Sequence, residues 1–270
     1  MITDTAHSFR QHQLPPFFHH GTSELKGITF FHHHGEQPVV HHISLIDLEK
    51  DVPEQIIQTE KEYGDPFLSA GELLIYHDIK HPRRKRHWLG GRAALKHALL
   101  SLRGPADRLT EKDFAALSIL PDPHGRPTLS GPLSPMPAIS ISHSGRYGIA
   151  LAAASHTCGI DIQLETERIF NVRERLMSRE EGEILHHGPI NGSEREKLTM
   201  LWAAKEAVKK GMLFDQPLIF TGITLRKIIP GKPVQMLFTC ANPQHPEALV
   251  QVLSVNEYQL AFTLGGNDHA

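Results

Sequence analysis

Two segments carry the chemistry most legible in the chain: Gly159-Ile-Asp161-Ile-Gln163, and further on Trp202-Ala-Ala-Lys205-Glu206-Ala-Val-Lys-Lys210. The first is apolar apart from its acid, so it predicts a buried strand carrying one carboxylate. An ionised carboxylate there is costly unless it is paired or bound to a cation. The second predicts an amphipathic helix with Leu198, Leu201, Trp202 and Val208 as its apolar positions. Trp202, Glu206 and Lys210, spaced i, i+4, i+8, share one face, and Lys205 projects about 100° away. Two acids on separate rigid elements suit a magnesium–pyrophosphate site, because a hard cation takes oxygen ligands and leaves positions open to phosphates. Each motif also has an ordinary explanation. Asp161 could cap a loop at a strand end, and Glu206–Lys210 could be a surface pair worth a few tenths of a kcal/mol.

Upstream, Ser142-His143-Ser144-Gly145 ends a strand and enters a turn, where hydroxyls, an imidazole and backbone N–H groups can hold a phosphate. It is not the strand-to-helix elbow of a nucleophilic serine, since another apolar run follows. Lys80 to Arg92 contains Lys80, Arg83, Arg84, Lys85, Arg86 and Arg92 with no acid among them, which suits phosphates, nucleic acid or an acidic protein. The same run could be a solvated helix face with Trp88 and Leu89 turned inward. Aromatic residues are not interleaved through it as a single-strand binding platform requires. Gly125-Arg126-Pro127 reads as a turn. Neither a Walker A loop nor G-x-G-x-x-G is present.

The elements that must position these groups follow from local signals. Ile28–Phe31 and His42–Leu48 predict strands. Ser69-x-x-Glu72 and Ser178-x-x-Glu181 are capping boxes that open helices. A longer helix should follow Pro82 and stop at Gly104-Pro105, and Thr110 to Asp113 looks like a further helix start. Leu120–Pro137 reads as Pro/Gly loop. Strands are predicted at 138–142, 147–153 and 159–164, and a helix at about 194–210 closed by Gly211. The C-terminal stretch predicts an antiparallel meander over 223–229, 234–240, 248–255 and 259–264. The letters show no internal repeat. Helices interspersed with hairpins, without a βαβ rhythm, argue an α+β fold. The natural midpoint near His156 divides the chain into halves 1–156 and 157–270, with both acids in the second.

The chain has 270 residues, 40% hydrophobic and 21% charged, with a net charge of −2, as for an ordinary soluble globular protein. The charge argues against a surface made for nucleic acid, and no apolar run approaches the roughly 20 residues needed to cross a bilayer. Without a secretion signal, and with only Cys158 and Cys240, reduced thiols in cytoplasm are expected. The 20 histidines cluster early, at 19–20, 32–34 and 41–42. Adjacent histidines on a strand point to opposite faces, so a solvated surface or poorly ordered loop is expected rather than a metal site.

Taken in order, Trp88-Leu-Gly-Gly-Arg92, Gly125-Arg126-Pro127, Ile141-Ser142-His143-Ser144, Gly159-Ile-Asp161-Ile, Leu176-Met-Ser-Arg-Glu-Glu181 and Trp202-x-x-Lys205-Glu206-Ala-x-x-Lys210 resemble the Sfp-type branch of the 4′-phosphopantetheinyl transferases. The resemblance is firm from about Ser69 to Gly211. It implies two pseudo-twofold-related α+β halves with coenzyme A in the cleft between them. It implies magnesium-dependent transfer of the phosphopantetheine arm to a serine of an apo acyl or peptidyl carrier protein, an acidic partner, releasing adenosine 3′,5′-bisphosphate. Carried over by position, Asp161 and Glu206 hold Mg²⁺, and Glu206 also takes the serine proton. Lys205 and Lys210 neutralise the pyrophosphate. Ser142 and His143 contact coenzyme phosphates, Arg126 and Pro127 flank the adenine, and Arg86 and Arg92 meet the 3′-phosphate. Gln163 stands where members often carry a second acid. It could offer an amide oxygen to the metal or hold a metal-bound water, and Glu165 could compensate if the strand reaches it. Weaker magnesium affinity is expected, and a non-catalytic relative that binds coenzyme A or a carrier is the alternative. Two halves in one chain make a monomer sufficient.

Overall fold

The structure, a computed structural model, describes residues 9–12, 25–34, 37–50, 52, 67–102, 111–154, 157–213 and 222–265, with side chains from His41 onward except Glu111. It divides into two compact units, Met1–Ile141 with Arg146–Ala154, and Ser142–Gly145 with Ser155–Ala270.

In the first unit the strands β1 (Phe9–His12), β2 (Leu25–His34) and β3 (Gln37–Asp47) precede the helices α1 (Ala70–Asp78), α2 (Pro82–Ser101) and α3 (Glu111–Ala115). A small hairpin follows, β4 (Ser118–Pro121) with β5 (Pro127–Ser130), and then β6 (Ala138–Ser144) and β7 (Tyr147–Ala153). The five-stranded sheet has the order β1-β2-β3-β7-β6, and α2 packs across β3 and β7. Leu89, Leu95 and Leu99 of α2 join Ile46, Phe114 and Ala150 in one apolar core.

The second unit opens with β8 (Thr157–Leu164). A 3₁₀ helix at Glu167–Val172 leads into α4 (Arg173–Leu176), α5 (Arg179–His187) and α6 (Glu194–Met212). The strands β9 (Ile223–Ile229), β10 (Val234–Asn242), β11 (His245–Val255) and β12 (Tyr258–Gly265) complete a sheet of order β8-β12-β11-β10-β9. Its pairings are antiparallel throughout, so helices laid on antiparallel sheets make both units α+β. The helix α6 starts at a third capping box, Ser193 with Glu196, that sequence reasoning passed over. Acids in its first turn and lysines in its last complement the helix dipole.

Each unit holds a buried network of the same kind. In the first, the carboxylate of Glu72 accepts from the Ser69 and Ile119 amides and from Lys96 Nζ at 2.6 Å, and Lys96 also donates to the carbonyl of Phe67, 29 residues before it. In the second, Glu181 accepts from the Ser178 and Leu225 amides and lies 2.7 Å from Lys205 Nζ, and Lys205 donates to the carbonyl of Leu176, also 29 residues before it. The lysine is followed by His97 in one unit and Glu206 in the other. The repeat is therefore one of structure. It escaped sequence reading because few letters besides the Ser-x-x-Glu pair and the lysine are shared.

Three expectations need correction. The Leu120–Pro137 loop contains the β4–β5 hairpin, hidden because its four-residue strands begin or end on Pro121 and Pro127. Gly211 does not close the last long helix but lies inside its final turn. The histidines at 41 and 42 are not a solvated surface: on β3 both are buried, at 0% and 2% exposure, and the His42 and His97 rings lie 5.8 Å apart. His97 Nδ1 is 2.7 Å from Ser44 Oγ. His19 and His20 fall outside the described residues.

Candidate active site

Small residues set the geometry. Gly159, Asp161 and Gln163 alternate onto one face of β8, and that face meets α6. A Cβ on Gly159 would lie 1.9 Å from the Ala207 carbonyl oxygen, and one on Gly211 would lie 3.1 Å from the backbone of Cys158 and Gly159. Strand and helix backbones are thus in direct contact. This brings Asp161, two residues beyond Gly159 on the strand, together with Lys210, the residue before Gly211 on the helix.

Asp161 is 2% exposed and richly hydrogen-bonded. Its Oδ1 accepts from Ser142 Oγ at 2.6 Å and from Lys210 Nζ at 2.6 Å, and its Oδ2 accepts from Gln163 Nε2 at 2.8 Å. Lys210 donates also to the carbonyl of Ile160 at 3.2 Å. Glu206, one helical turn before Lys210, is half-buried. Burial pushes its carboxyl above the ordinary range, and the Asp161 charge adds to the effect against the pull of Lys210 and Lys209. Asp161 and Glu206 are therefore close enough to repel one another, which a divalent cation would relieve. Two carboxylates leave the other positions of such a cation to phosphate or water oxygens. Among the described residues no group of three or more His, Cys, Asp or Glu is placed to hold a metal ion.

The structure thus brings Ser142, Asp161, Gln163, Glu206 and Lys210 into one cluster. Ser142 supports the aspartate directly. His143, next along β6, is exposed, while Ser144 Oγ accepts from the Leu164 amide. Gln163 has a role the sequence did not suggest: its amide nitrogen donates to Asp161 Oδ2. Glu165 does not compensate, because β8 ends at Leu164 and the Glu165 carboxylate accepts from Gln259 Nε2 at 2.9 Å.

Lys205 is a correction. It is 0% exposed and its ammonium is bound to Glu181 and the Leu176 carbonyl, so it does not face phosphates. The 100° offset from Glu206 that was legible in the helix turns it into the core. Burial holds its ammonium below the usual lysine range, with Glu181 opposing.

Arg86, Arg92, Arg126 and Pro127 belong to the first unit. Arg92 lies 4.1 Å from the centre of the Trp88 ring, and burial lowers it to about 10. Arg126 Nε donates to Asp122 Oδ2 at 2.6 Å at the tip of the β4–β5 hairpin, and Pro127 opens β5. In the basic run, Lys85 is buried with its ammonium 4.4 Å from the Tyr76 ring centre, so only part of that run faces solvent.

Comparisons with known proteins bear on the family. Residues 157–263 match the family model of the 4′-phosphopantetheinyl transferase superfamily, a span that contains both carboxylates and Lys210. Holo-[acyl-carrier-protein] synthases of Streptococcus agalactiae serotypes III and V are each 31% identical over 94 residues, covering 34% of this chain and 77% of theirs. A Synechocystis sp. protein is 28% identical over 147 residues, 53% of this chain and 56% of its own, a match too long to be confined to the stretch after 157. A crystal structure of a holo-(acyl-carrier-protein) synthase from Bacillus anthracis, in complex with CoA (3′,5′-ADP), is 22% identical with a TM-score of 0.35. It covers 42% of this chain and 92% of its own, and at that similarity it bears on neither site nor ligand. The family model falls within the unit that builds the Asp161–Glu206–Lys210 cluster, and with the streptococcal relatives, covered over 77% of their length, the chain belongs to the 4′-phosphopantetheinyl transferase superfamily.

Proposed function

We propose that this protein is a cytoplasmic, magnesium-dependent transferase of the Sfp-type branch. It moves the 4′-phosphopantetheine arm of coenzyme A to a serine of an acidic apo acyl or peptidyl carrier protein. The observation that carries this reading is the Asp161–Glu206 carboxylate pair with Lys210 bound to the aspartate. Asp161 and Glu206 would hold Mg²⁺, whose chemistry is neutralisation of the pyrophosphate and of charge developing on the leaving phosphate. The repeated Glu–Lys network supports the two-unit branch, and two units in one chain allow a monomer to suffice.

In the transfer, the carrier serine Oγ bonds to the phosphorus that bears the pantetheine arm. The bond from that phosphorus to the bridging oxygen breaks, and its electron pair leaves with adenosine 3′,5′-bisphosphate. Glu206 accepts the serine proton, directly or through a water. Lys210 supplies positive charge to the phosphates. Ser142 and Gln163 fix the aspartate, and preorganised charge of this kind is the main contribution a protein makes to phosphoryl chemistry. His143, Arg86 and Arg92 are assigned to coenzyme phosphates, and Arg126 and Pro127 to the adenine.

The test is the intact mass of apo carriers from fatty-acid, polyketide and nonribosomal-peptide systems after incubation with protein, coenzyme A and Mg²⁺. A phosphopantetheine-sized gain, lost with Glu206→Gln or with chelator, supports the transferase. Coenzyme A binding without gain on any carrier favours a non-catalytic relative, a reading supported by Gln163 at the second-acid position.

A further inference from the structure

Every acceptor oxygen of Asp161 already has a donor, and one donor is itself a cation. Lys210 Nζ lies 2.6 Å from the same Oδ1 that Ser142 approaches at 2.6 Å, while Gln163 occupies Oδ2. The Ile160 carbonyl, at 3.2 Å, supplies the ammonium with a second oxygen. An ammonium seated between a carboxylate and a carbonyl, in front of a second carboxylate that its charge helps to ionise, has the surroundings of a bound metal ion. A Mg²⁺ ion needs an Asp161 oxygen at about 2.0–2.1 Å, and at Oδ1 it competes with the ammonium for the same oxygen. Ser142 and Gln163 are neutral and can remain as donors. Lys210 is the donor a metal at Oδ1 displaces, because the two positive charges would repel at a few ångströms while the neutral donors would not.

We infer that Lys210 is an internal placeholder for the divalent cation. Its ammonium pairs with Asp161 and partly offsets the charge of Glu206 in the metal-free protein, and it is exchanged off Asp161 when the metal binds. This inference rests on the proposed metal site. The side chain is 29% exposed, so its tip can swing outward without unpacking the helix. The exchange orders events: the metal frees the lysine, and a freed lysine beside the metal is then available to an anionic phosphate. A lysine held on the strand offsets part of the repulsion within the acid pair in the apo state, and one released by metal couples cation loading to readiness for phosphate. Replacing Lys210 by methionine should therefore remove a competitor for the metal as well as a phosphate contact.

The experiment measures Mn²⁺ binding by electron paramagnetic resonance without coenzyme A, on the wild type, Lys210→Met and Asp161→Asn. In parallel, amine acylation at Lys210 is followed by peptide mass spectrometry at zero and saturating Mg²⁺. Placeholder exchange predicts one Mn²⁺ lost in Asp161→Asn, binding strengthened about tenfold in Lys210→Met, and Lys210 acylation rising several-fold with Mg²⁺. The acylation readout separates exchange from simple charge repulsion, which would strengthen binding without moving the lysine. Mn²⁺ binding that depends on Asp161, with acylation unchanged or reduced by Mg²⁺, overturns the exchange and leaves the metal site standing. Mn²⁺ binding unaffected by Asp161→Asn, or none in any of the proteins, overturns the metal site and the exchange with it.

Discussion

The contact between β8 and α6 makes a sharp prediction at Gly159. An alanine there places its Cβ 1.9 Å from the Ala207 carbonyl oxygen and 2.7 Å from the Gly211 nitrogen. Ordinary contact begins near 3.4 Å, so the helix must retreat by about 1.5 Å. Both obstructing atoms are backbone and cannot rotate away. Overpacking of a close interface costs roughly 1–3 kcal/mol, and the upper end, ~3 kcal/mol, fits a rigid clash. With a urea slope of about 2 kcal/mol per molar, the midpoint should fall by about 1.5 M. The retreat also carries Glu206 and Lys210 away from Asp161, and a misplacement of about 1 Å can lower a reaction about 100-fold. Gly211→Ala is the control: its Cβ meets backbone at 3.1 Å, so a shift of a few tenths of an ångström suffices. That small clash is opposed by about 1 kcal/mol of helix propensity, so it should be nearly neutral. The assays are urea unfolding by circular dichroism and holo-carrier formation by mass. An unmoved midpoint in Gly159→Ala, or a larger loss in Gly211→Ala, would refute the reasoning.

Three further outcomes are expected. Glu206→Gln should abolish at least about 99% of transfer, as loss of a positioned base does, while stabilising the metal-free protein. The folded carboxyl lies above its ordinary 4.5, so ionised Glu206 disfavours the fold at pH above its folded value, and this is relieved as pH falls through that value towards 4.5. The urea midpoint of the variant should thus exceed that of the wild type at pH 8 and converge with it near pH 4.5; an equal gap at both would contradict the buried, charge-crowded placement. Lys205→Met should destabilise by about 3–5 kcal/mol through the uncompensated Glu181 charge, Lys96→Met should do the same through Glu72, and adding Glu181→Gln to Lys205→Met should recover much of the loss. A Lys205→Met protein of normal stability with only a raised KM for coenzyme A would return that lysine to the phosphates. Burial raises the Cys158 thiol strongly and pushes Cys240 up to about 11, so both should resist a thiol reagent at pH 8 until urea unfolds the chain; rapid labelling of the native protein would show that the second unit opens.

What the sequence determined by itself is local. The capping serines at 69 and 178, the alternating apolar run around Asp161 and the helical spacing of Trp202, Glu206 and Lys210 each act over a few residues, where backbone geometry links letter to position. The tertiary structure alone decided what those positions meet. Lys205 and Glu206 are neighbours in sequence, yet one lies in the core against Glu181 and the other at the site, because the helix face that docks depends on packing across the unit. Gly159 and Gly211 read as strand and helix end, and only their contact shows that they set the distance between Asp161 and Lys210. The Glu72–Lys96 and Glu181–Lys205 networks repeat without an obvious sequence repeat, because a buried ion pair constrains a few atoms while the residues around it are free to change.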